Sequence, residues 1–418
     1  MKISLKNISK IKEADIDING ITVIAGENNT GKSTVGKALW SIFNSFYNIE
    51  NELIKDRENI IYEKIKNYYG NSIKSTINLR IATRKILILE PKEKEDIKKI
   101  LIDNLKQRGI LLENIFIDNI ENSNNLDSLV EDIYEILNID NEYILKNHLK
   151  NILIQEFNGQ INNIYNQDNG EIGLTISQKN ISIIIDSQKV EDIKVNNQDE
   201  MLSLSTRAIY IDDPYVLDDE TFFRFQRQTH KEYLKRLLSV KNDSGIVENA
   251  LVNKRMENIN KKLEEIFKGE MKFNFDSKKV ILKGSFEEID LTNLSTGLKT
   301  FVIIKNLLEN GVIEKKGTII LDEPEIHLHP EWQLIFAEII VLLQKEFDLH
   351  ILLATHSPYF LRAIQVYASK YEIADKCKYY LAENIEMNSI IKDVSDNIEL
   401  IFEKLANPLQ KLEDLLYD

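Results

Sequence analysis

The sequence predicts a mixed α/β protein: a head of sheet and flanking helices, interrupted along the chain by a mostly helical insertion. Three observations predict it. From Ser295 onward, strand and helix signals alternate, the pattern of a parallel sheet with crossover helices. Near the start, an apolar strand signal, residues 21–25, runs straight into a glycine-containing turn and a helix. Between these ends, residues 50–155 hold a single proline, Pro91, and apolar residues at helical spacing.

Taken in order, residues 1–25 contain the strand signals KISLKNI and ITVIAG, the second after a turn at Asn19-Gly20. A helix is expected from Lys32 to about Ile49. In the insertion, Ile97, Ile100, Leu101 and Leu105, then Leu129, Ile133, Ile136 and Leu137, recur with the period of one helix face. Residues 171–186 alternate and break at Lys179-Asn180, which predicts a β-hairpin. The strand RAIYIDD follows, then a helical stretch from about Glu220 to Phe267, then the strand signals MKFNFD and KVILKG. The closing alternation is helix 297–310, strand 318–322, helix 330–346, strand 350–354 and helix 358–368. This divides the chain into 1–49 (first part of the head), 50–155 (insertion), 156–215 (β-rich part of the head), 216–268 (helical and locally basic) and 269–418 (last part of the head).

Composition excludes several classes. A chain of 418 residues can hold two or three domains and bury a core without covalent staples. One cysteine, Cys377, allows no internal disulfide and no zinc site built on two or more thiolates, and fits a reducing compartment. With 53 Lys+Arg against 67 Asp+Glu, the net charge of −14 argues against a wholesale grip on nucleic acid and leaves room for a local basic face. No run of about 18 apolar residues is present, so no membrane span is expected. The first residues lack the apolar stretch of a signal peptide, and the chain reads as cytoplasmic and soluble.

Four motifs carry chemistry. The first, Gly26-Glu27-Asn28-Asn29-Thr30-Gly31-Lys32-Ser33 followed by Thr34, matches GxxxxGK[ST] between a strand and a helix. Glycines let the backbone wrap closely around phosphate, and the N–H groups opening the helix face the anion. Lys32 reaches the β- and γ-phosphates, and the Ser33 hydroxyl can ligate Mg²⁺. The second, TIILDEPE at 318–325, is an apolar strand ending in two acids. Asp322 suits Mg²⁺, held directly or through water, and Glu323 suits a base that orients or deprotonates an attacking water. The third, Leu294-Ser295-Thr296-Gly297-Leu298-Lys299, opens a helix and reads either as an anion-binding nest or as a helix cap. In the fourth, ATHSP after the strand HILLA, His356 sits at a strand end where it can sense a γ-phosphate or serve a structural role.

In this order the motifs resemble ABC-type ATPases of the branch that holds SMC, RecF and OLD-type proteins. GENNTGKS, LSTGLK, IILDEPEIHLHPEW and ATHSP carry the resemblance, which covers roughly 1–45 and 290–370. The resemblance implies an ATP- and Mg²⁺-dependent ATPase whose heads dimerise head-to-tail around ATP. Ser295 and Gly297 then bind the γ-phosphate in trans, His356 reads it in cis, Glu323 is the base, and residues 325–329 form the loop that crosses the dimer interface. Thr296 stands where many members have glycine, and a metal-binding glutamine is placed only as a guess at Gln160.

Residues 224–241 (RFQRQTHKEYLKRLLSVK) form a local basic reversal, which reads as a nucleic-acid contact, a partner contact or a solvated helix face. The preceding acids Asp212, Asp213, Asp218, Asp219 and Glu220 can pair with it within the chain or bind a metal, although their spacing is not diagnostic of a metal site. His327 and His329 read as loop-shaping residues, not metal ligands. After His356 no stretch is long enough for the nuclease domain that OLD-type proteins append, so nuclease chemistry is expected from another chain. Stand-alone ATPases of this branch resemble the sensor or scaffold subunits of bacterial anti-phage systems (Septu-, PARIS-like or retron-associated), which implies a separate nuclease or toxin effector as partner. A DNA-binding repair or recombination ATPase of RecF type and a non-hydrolysing nucleotide-gated scaffold are the alternatives.

Overall fold

The computed structural model describes residues 1–69, 76–107, 124–176, 179–196, 203–218, 229–239, 246–269, 271–274, 279–282, 284 and 286–406. In chain order the strands and helices are β1 (Lys2–Ile8), β2 (Ile11–Asp17), β3 (Ile21–Gly26), α1 (Lys32–Phe46), α2 (Ile49–Tyr69), α3 (Thr76–Leu89), α4 (Lys94–Gln107), α5 (Asn124–Asn138) and α6 (Asn141–Glu156). They continue with β4 (Gly170–Ile176), β5 (Lys179–Asp186), β6 (Lys189–Asn196), β7 (Ala208–Ile211), α7 (His230–Leu238), α8 (Ile246–Phe267), β8 (Met271–Asn274), β9 (Lys279–Leu282) and β10 (Ile289–Asp290). The chain closes with α9 (Thr296–Glu309), β11 (Thr318–Asp322), α10 (Pro330–Phe347), β12 (His350–Thr355), α11 (Pro358–Lys370), β13 (Cys377–Ile385) and β14 (Asn388–Asp393).

The chain divides into two compact units, Met1–Tyr47 with His148–Asp418, and Asn48–Asn147. In the second unit, α2 to α5 bury one apolar stripe each. Ile61, Ile65, Leu79, Ile86, Ile97, Leu101, Leu129 and Ile133 meet in a single cluster. Its ion pairs, such as Lys64 with Asp132 at 2.6 Å, are half exposed and contribute little to stability. The insertion read from sequence as 50–155 is thus a unit of 48–147. Helix α6 runs on without a break past Asn147, so periodicity alone offers no boundary there.

In the first unit, an 11-stranded sheet has the order β6-β5-β4-β1-β2-β14-β13-β3-β12-β11-β7. Strands β13, β3, β12, β11 and β7 pair in parallel. Of these, β3, β7, β11 and β12 are short continuous apolar runs because helices cover both faces; β3 is buried at every position. Strands β1, β2, β4, β5 and β6 form an antiparallel arm, and β1 and β4 alternate buried and less buried residues accordingly. A separate three-stranded sheet has the order β10-β9-β8.

Several details differ from the sequence reading. The first helix stops at Phe46, and Asn48 takes a left-handed φ of 48° before α2 begins. The hairpin pairs Ile176 with Lys179, so Lys179-Asn180 opens β5 and the strands break two residues earlier than expected. Strands β2, β6, β13 and β14 were not anticipated as separate elements. Of the helical stretch 220–267, α7 and α8 are seen, while 219–228 and 240–245 lie outside the described residues.

The core of the head lies between the parallel strands and helices α9, α10 and α11. Phe336 sits fully buried at its centre, edge-on to Phe301 at 5.4 Å and stacked near Phe360 at 6.3 Å. Ser357 caps α11 with Pro358 behind it, and His329 caps α10 with Pro330 behind it, so each helix starts where its motif ends. Replacing Phe336 with alanine is expected to lower the unfolding free energy by about 3–5 kcal/mol. Denaturant titration followed by tryptophan fluorescence reads this directly; a loss below about 1 kcal/mol would show that the ring cluster does not anchor the core.

Candidate nucleotide site

Parallel pairing brings three chemistry-bearing segments to one sheet edge. The register aligns Asp322 with Ala354, Ala354 with Ile24 and Thr355 with Ala25, so the ends of β11, β12 and β3 stop at the same level. Ligands of open parallel sheets bind beyond this edge. The loop after β3 makes a tight turn there. Asn29 has φ 60° and Gly31 φ 84°, and a Cβ on Gly31 would lie 2.6 Å from the Ile11 side chain, so both backbone conformation and space require glycine. Glu27, Asn28 and Asn29 form the exposed tip, and Thr30 is buried with its hydroxyl donating to Glu27 O at 2.8 Å. Gly26 ends β3, Ser33 is exposed in the first turn of α1, and the Thr34 N–H donates to Gly31 O.

Lys32 is almost wholly buried. Its ammonium donates to the carbonyls of Gly26 at 3.1 Å and Glu27 at 2.9 Å, and lies 3.5 Å from Glu323 Oε1. Glu323 occupies a left-handed φ of 49°, rare for a side chain of its size, and its N–H is tied to Ala354 O at 2.9 Å. Backbone held in such a region clusters at working sites. Its carboxylate is held below the ordinary range first by His356, whose Nδ1 lies 3.6 Å from Oε2, and then by Lys32. The same contact with Glu323 raises His356 above its ordinary value. Asp322 behaves oppositely: burial pushes it up, opposed by the hydroxyls of Ser33 and Tyr210. The Tyr210 hydroxyl donates to Asp322 Oδ2 at 2.9 Å.

Within the loop 325–329, Glu325 is turned inward. It is 2% exposed, accepts from the Thr355 hydroxyl, and takes the His356 N–H at 3.3 Å. It therefore anchors the segment carrying His356. In the same loop Ile326, His327 and His329 point outward, while Leu328 is buried. His329 Nδ1 accepts from the Glu331 N–H as a helix cap, and His327 packs edge-on to Tyr215, so both shape the loop.

A second wall of the cleft was not read from the sequence as part of the site. Asp212 and Asp213, just past β7, line a small pocket of about 30 Å³ with Asp322, Glu323 and His327. Behind Asp212 stands His230, 5% exposed, with Nδ1 2.5 Å from Glu156 Oε1 and Nε2 3.0 Å from Asp212 Oδ2. The second contact is off the N–H axis, so it acts as charge attraction more than as a directed hydrogen bond. Desolvation pulls the imidazole down, yet Asp212 and Glu156 together raise it to about 9. Against the upward push of burial, His230 and Lys231 hold Asp212 below the ordinary carboxylate range. Lys231 lies 3.3 Å from Asp212 and 3.7 Å from Asp213.

The basic stretch 224–241 is thus partly paired with the acids before it. Lys231 takes Asp212 and Asp213, and Arg236 covers the Tyr233 ring; residues 224–228, 240 and 241 lie outside the described residues. Asp218 pairs instead with Lys299 of the LSTGLK segment at 2.7 Å. Ser295 caps α9 through the Leu298 N–H and stays exposed. A Cβ on Gly297 would meet His327 O at 2.9 Å and the Trp332 ring, so this helix start packs directly against the loop after β11. Gln160 is not brought to the site. It follows α6, is exposed, and lies next to Ile161, whose carbonyl takes the Ser9 N–H. The acids that line the small pocket with Asp322 and Glu323 are Asp212 and Asp213.

The residues present fit Mg²⁺. Asp322 Oδ1 is buried with no hydrogen-bond partner among the described residues, and the Ser33 hydroxyl stands beside that carboxyl. Among the described residues no group of three or more His, Cys, Asp or Glu side chains is arranged so that it could hold a metal ion by itself. One carboxylate and one hydroxyl leave most of an octahedral shell to phosphate oxygens and water, which is how Mg²⁺ binds with nucleotides. Among the described residues no helix is long and apolar enough to cross a membrane.

Comparison with known proteins agrees with the motif resemblance. A probable ATPase of retron Vc95 from Vibrio cholerae serotype O1 biovar El Tor is 31% identical over 150 residues. That match takes in 33% of this chain and 27% of the relative, so only about a quarter of the relative's length is spanned. The SMC head domain from Thermotoga maritima superposes with a TM-score of 0.42 at 11% identity, covering 94% of this chain and 98% of that one. An Smc head domain with an extended coiled coil bound to the C-terminal domain of ScpA, from Pyrococcus furiosus, gives a TM-score of 0.43 at 9% identity, covering 99% and 98%. A profile of the AAA_15 family, described as an AAA ATPase domain, matches residues 1–361, and by that match the chain belongs to this family of ATPases.

Proposed function

We propose that the protein binds ATP at the edge formed by β3, β11 and β12 and hydrolyses it to ADP and phosphate within a head-to-tail homodimer. One observation carries the reading: Lys32, Ser33, Asp322, Glu323 and His356 come together although they span most of the chain, with Lys32 already touching Glu323. Phosphate oxygens arriving at the loop take over Lys32, which releases the Glu323 carboxylate. Glu323 then accepts a proton from water as the water oxygen attacks the γ-phosphorus and the bond to the bridging oxygen of ADP breaks. Protonated His356 holds the γ-phosphate oxygens. Bound Mg²⁺, held by Ser33 and Asp322, would neutralise charge on the β- and γ-oxygens. Backbone N–H groups of residues 28–34 cradle the phosphates.

The dimer follows from a half-site. Ser295 is exposed at a helix N-terminus, and its described contact is within its own turn, the Leu298 N–H. Facing a second copy's phosphate loop, Ser295 and Gly297 complete the γ-phosphate shell in trans, so closure depends on ATP. We further read the closed dimer as a sensor or scaffold that controls a separate nuclease or toxin in anti-phage defence. The retron-named relative supports this reading. The alternative of a DNA-gripping repair ATPase draws on the basic stretch, of whose described lysines Lys231 is engaged by Asp212 and Asp213.

Lys32→Ala is expected to abolish ATP binding measured by calorimetry; wild-type affinity in that variant would refute the site. Glu323→Gln is expected to keep binding, lower turnover by about 10²–10⁴-fold and accumulate a dimer with ATP in light scattering. Full turnover would remove Glu323 as the base. For pH, His356 is raised, so its charged form persists above the usual imidazole value near 6.5. The alkaline limb of kcat is therefore expected above that value, and it should vanish in His356→Gln; an unchanged limb would sink the assignment.

A further inference from the structure

We propose that His230 is a positioning residue of the hydrolytic centre, holding Asp212 at the cleft wall and Tyr210 against Asp322. The inference rests on the nucleotide reading above and names a residue the four motifs do not include. His230 stands where four elements meet. Its Nδ1 faces Glu156 at the end of α6 at 2.5 Å, and its backbone N–H also donates to that carboxylate at 3.0 Å. Its Nε2 faces Asp212 beyond β7 at 3.0 Å. Its ring stacks on Tyr210 of β7, with centroids 4.3 Å apart and planes 25° from parallel. Trp40 of α1 meets the ring edge-on at 6.1 Å.

The stack matters because Tyr210 is fully enclosed and has one proton to donate. The hydroxyl is 2.9 Å from Asp322 Oδ2 and 3.4 Å from Ser33 O, so the shorter contact takes the hydrogen. The bond leaves Asp322 Oδ1 as the buried atom without a partner, directed by the restraint on its twin. A continuous path thus runs from Glu156 through His230 and Tyr210 to Asp322. A second branch runs from His230 to Asp212 at the cleft, where Lys231 adds its charge.

A role in stability alone accounts poorly for this arrangement. Burying a charged imidazole between two carboxylates carries desolvation penalties that an apolar cluster of similar volume would avoid. What the ionic trio supplies is placement: Glu156 fixes the imidazole through hydrogen bonds to Nδ1 and the backbone N–H, and the ring's charge draws Asp212 toward it. Residues that orient metal ligands from behind typically change metal affinity or activity by roughly 10–100-fold when removed.

The test uses the full chain with ATP and Mg²⁺. Nucleotide binding is measured by calorimetry with and without Mg²⁺, and turnover as a function of Mg²⁺ concentration. His230→Asn should leave Mg²⁺-free ATP affinity unchanged, raise the Mg²⁺ midpoint about 10-fold and lower kcat. Tyr210→Phe, which removes only the hydroxyl, should shift the midpoint in the same direction, and the double variant should show less than the sum of the two effects. A folded His230→Asn protein with the wild-type Mg²⁺ midpoint overturns the proposal, as does strict additivity. Where His230→Asn does not fold, Tyr210→Phe and Glu156→Gln decide: the proposal stands only if both move the midpoint. Failure of the wild-type chain to bind nucleotide would instead strike the parent reading.

Discussion

The register of the parallel strands is the constraint on which the site depends. Lys32, Asp322 and His356 lie far apart in sequence, and no local contact brings them together. They meet because β3, β12 and β11 pair without a shift, so each strand ends one residue from its neighbours' functional groups. A slip of one residue would reverse the facing of every side chain on a strand and set the ends at different levels. The continuous apolar runs of β3 and β12 enforce the register from both faces, and the three-ring cluster of Phe301, Phe336 and Phe360 holds the covering helices in place.

Around that edge the chain collects carboxylates, which repel one another unless each is answered. Glu323 is answered by Lys32 and His356, and Asp212 by His230 and Lys231. Glu325 is buried and receives hydroxyl and amide donors instead. Asp322 is the one of these that the described residues answer only with hydroxyls. Hydroxyls satisfy hydrogen-bonding capacity without neutralising charge, so a cation supplied with the nucleotide gains most at Asp322. On the proposed reading, this division of partners is what would single out Asp322 for the metal among several acids that stand close together.

The legible part of the site was the part encoded at short range. The phosphate loop, the Asp-Glu pair, the Ser-Gly helix start and the strand-end histidine each fit within eight residues, and their chemistry follows from that spacing. The helices and strands between Ser295 and Lys370 were equally legible because each apolar run stops at a Pro, a cap or an acid. Long-range pairs were not legible. His230 with Glu156, Lys299 with Asp218, and Glu325 with Thr355 join residues 74, 81 and 30 positions apart. Nothing in the composition of the acidic run 212–220 says which member serves the cleft and which serves the helix start. Gln160 offered no better signal: a single polar residue in a loop belongs to no motif, whereas Asp212, just past β7, lines the pocket with Asp322. Strands β13 and β14 were missed because their pattern is half-buried and follows a helix with no glycine or proline marking the entry.

The LSTGLK segment shows how a helix start can serve fold and ligand at once. Gly297 is pressed against His327 O and the Trp332 ring, so the helix start is seated on the loop that follows the Asp-Glu pair. Lys299, two residues on, is 2% exposed and bound by Asp218 and the Thr292 carbonyl. These two positions leave the N-terminus of α9 little freedom to tilt. Ser295, by contrast, remains exposed, with its hydroxyl and the first N–H groups at the helix mouth. Anion binding at a helix terminus is effective when the amides are already aimed and need no reordering. Because this helix is seated on the loop carrying His327, the segment that follows the Asp-Glu pair also fixes where the exposed Ser295 stands.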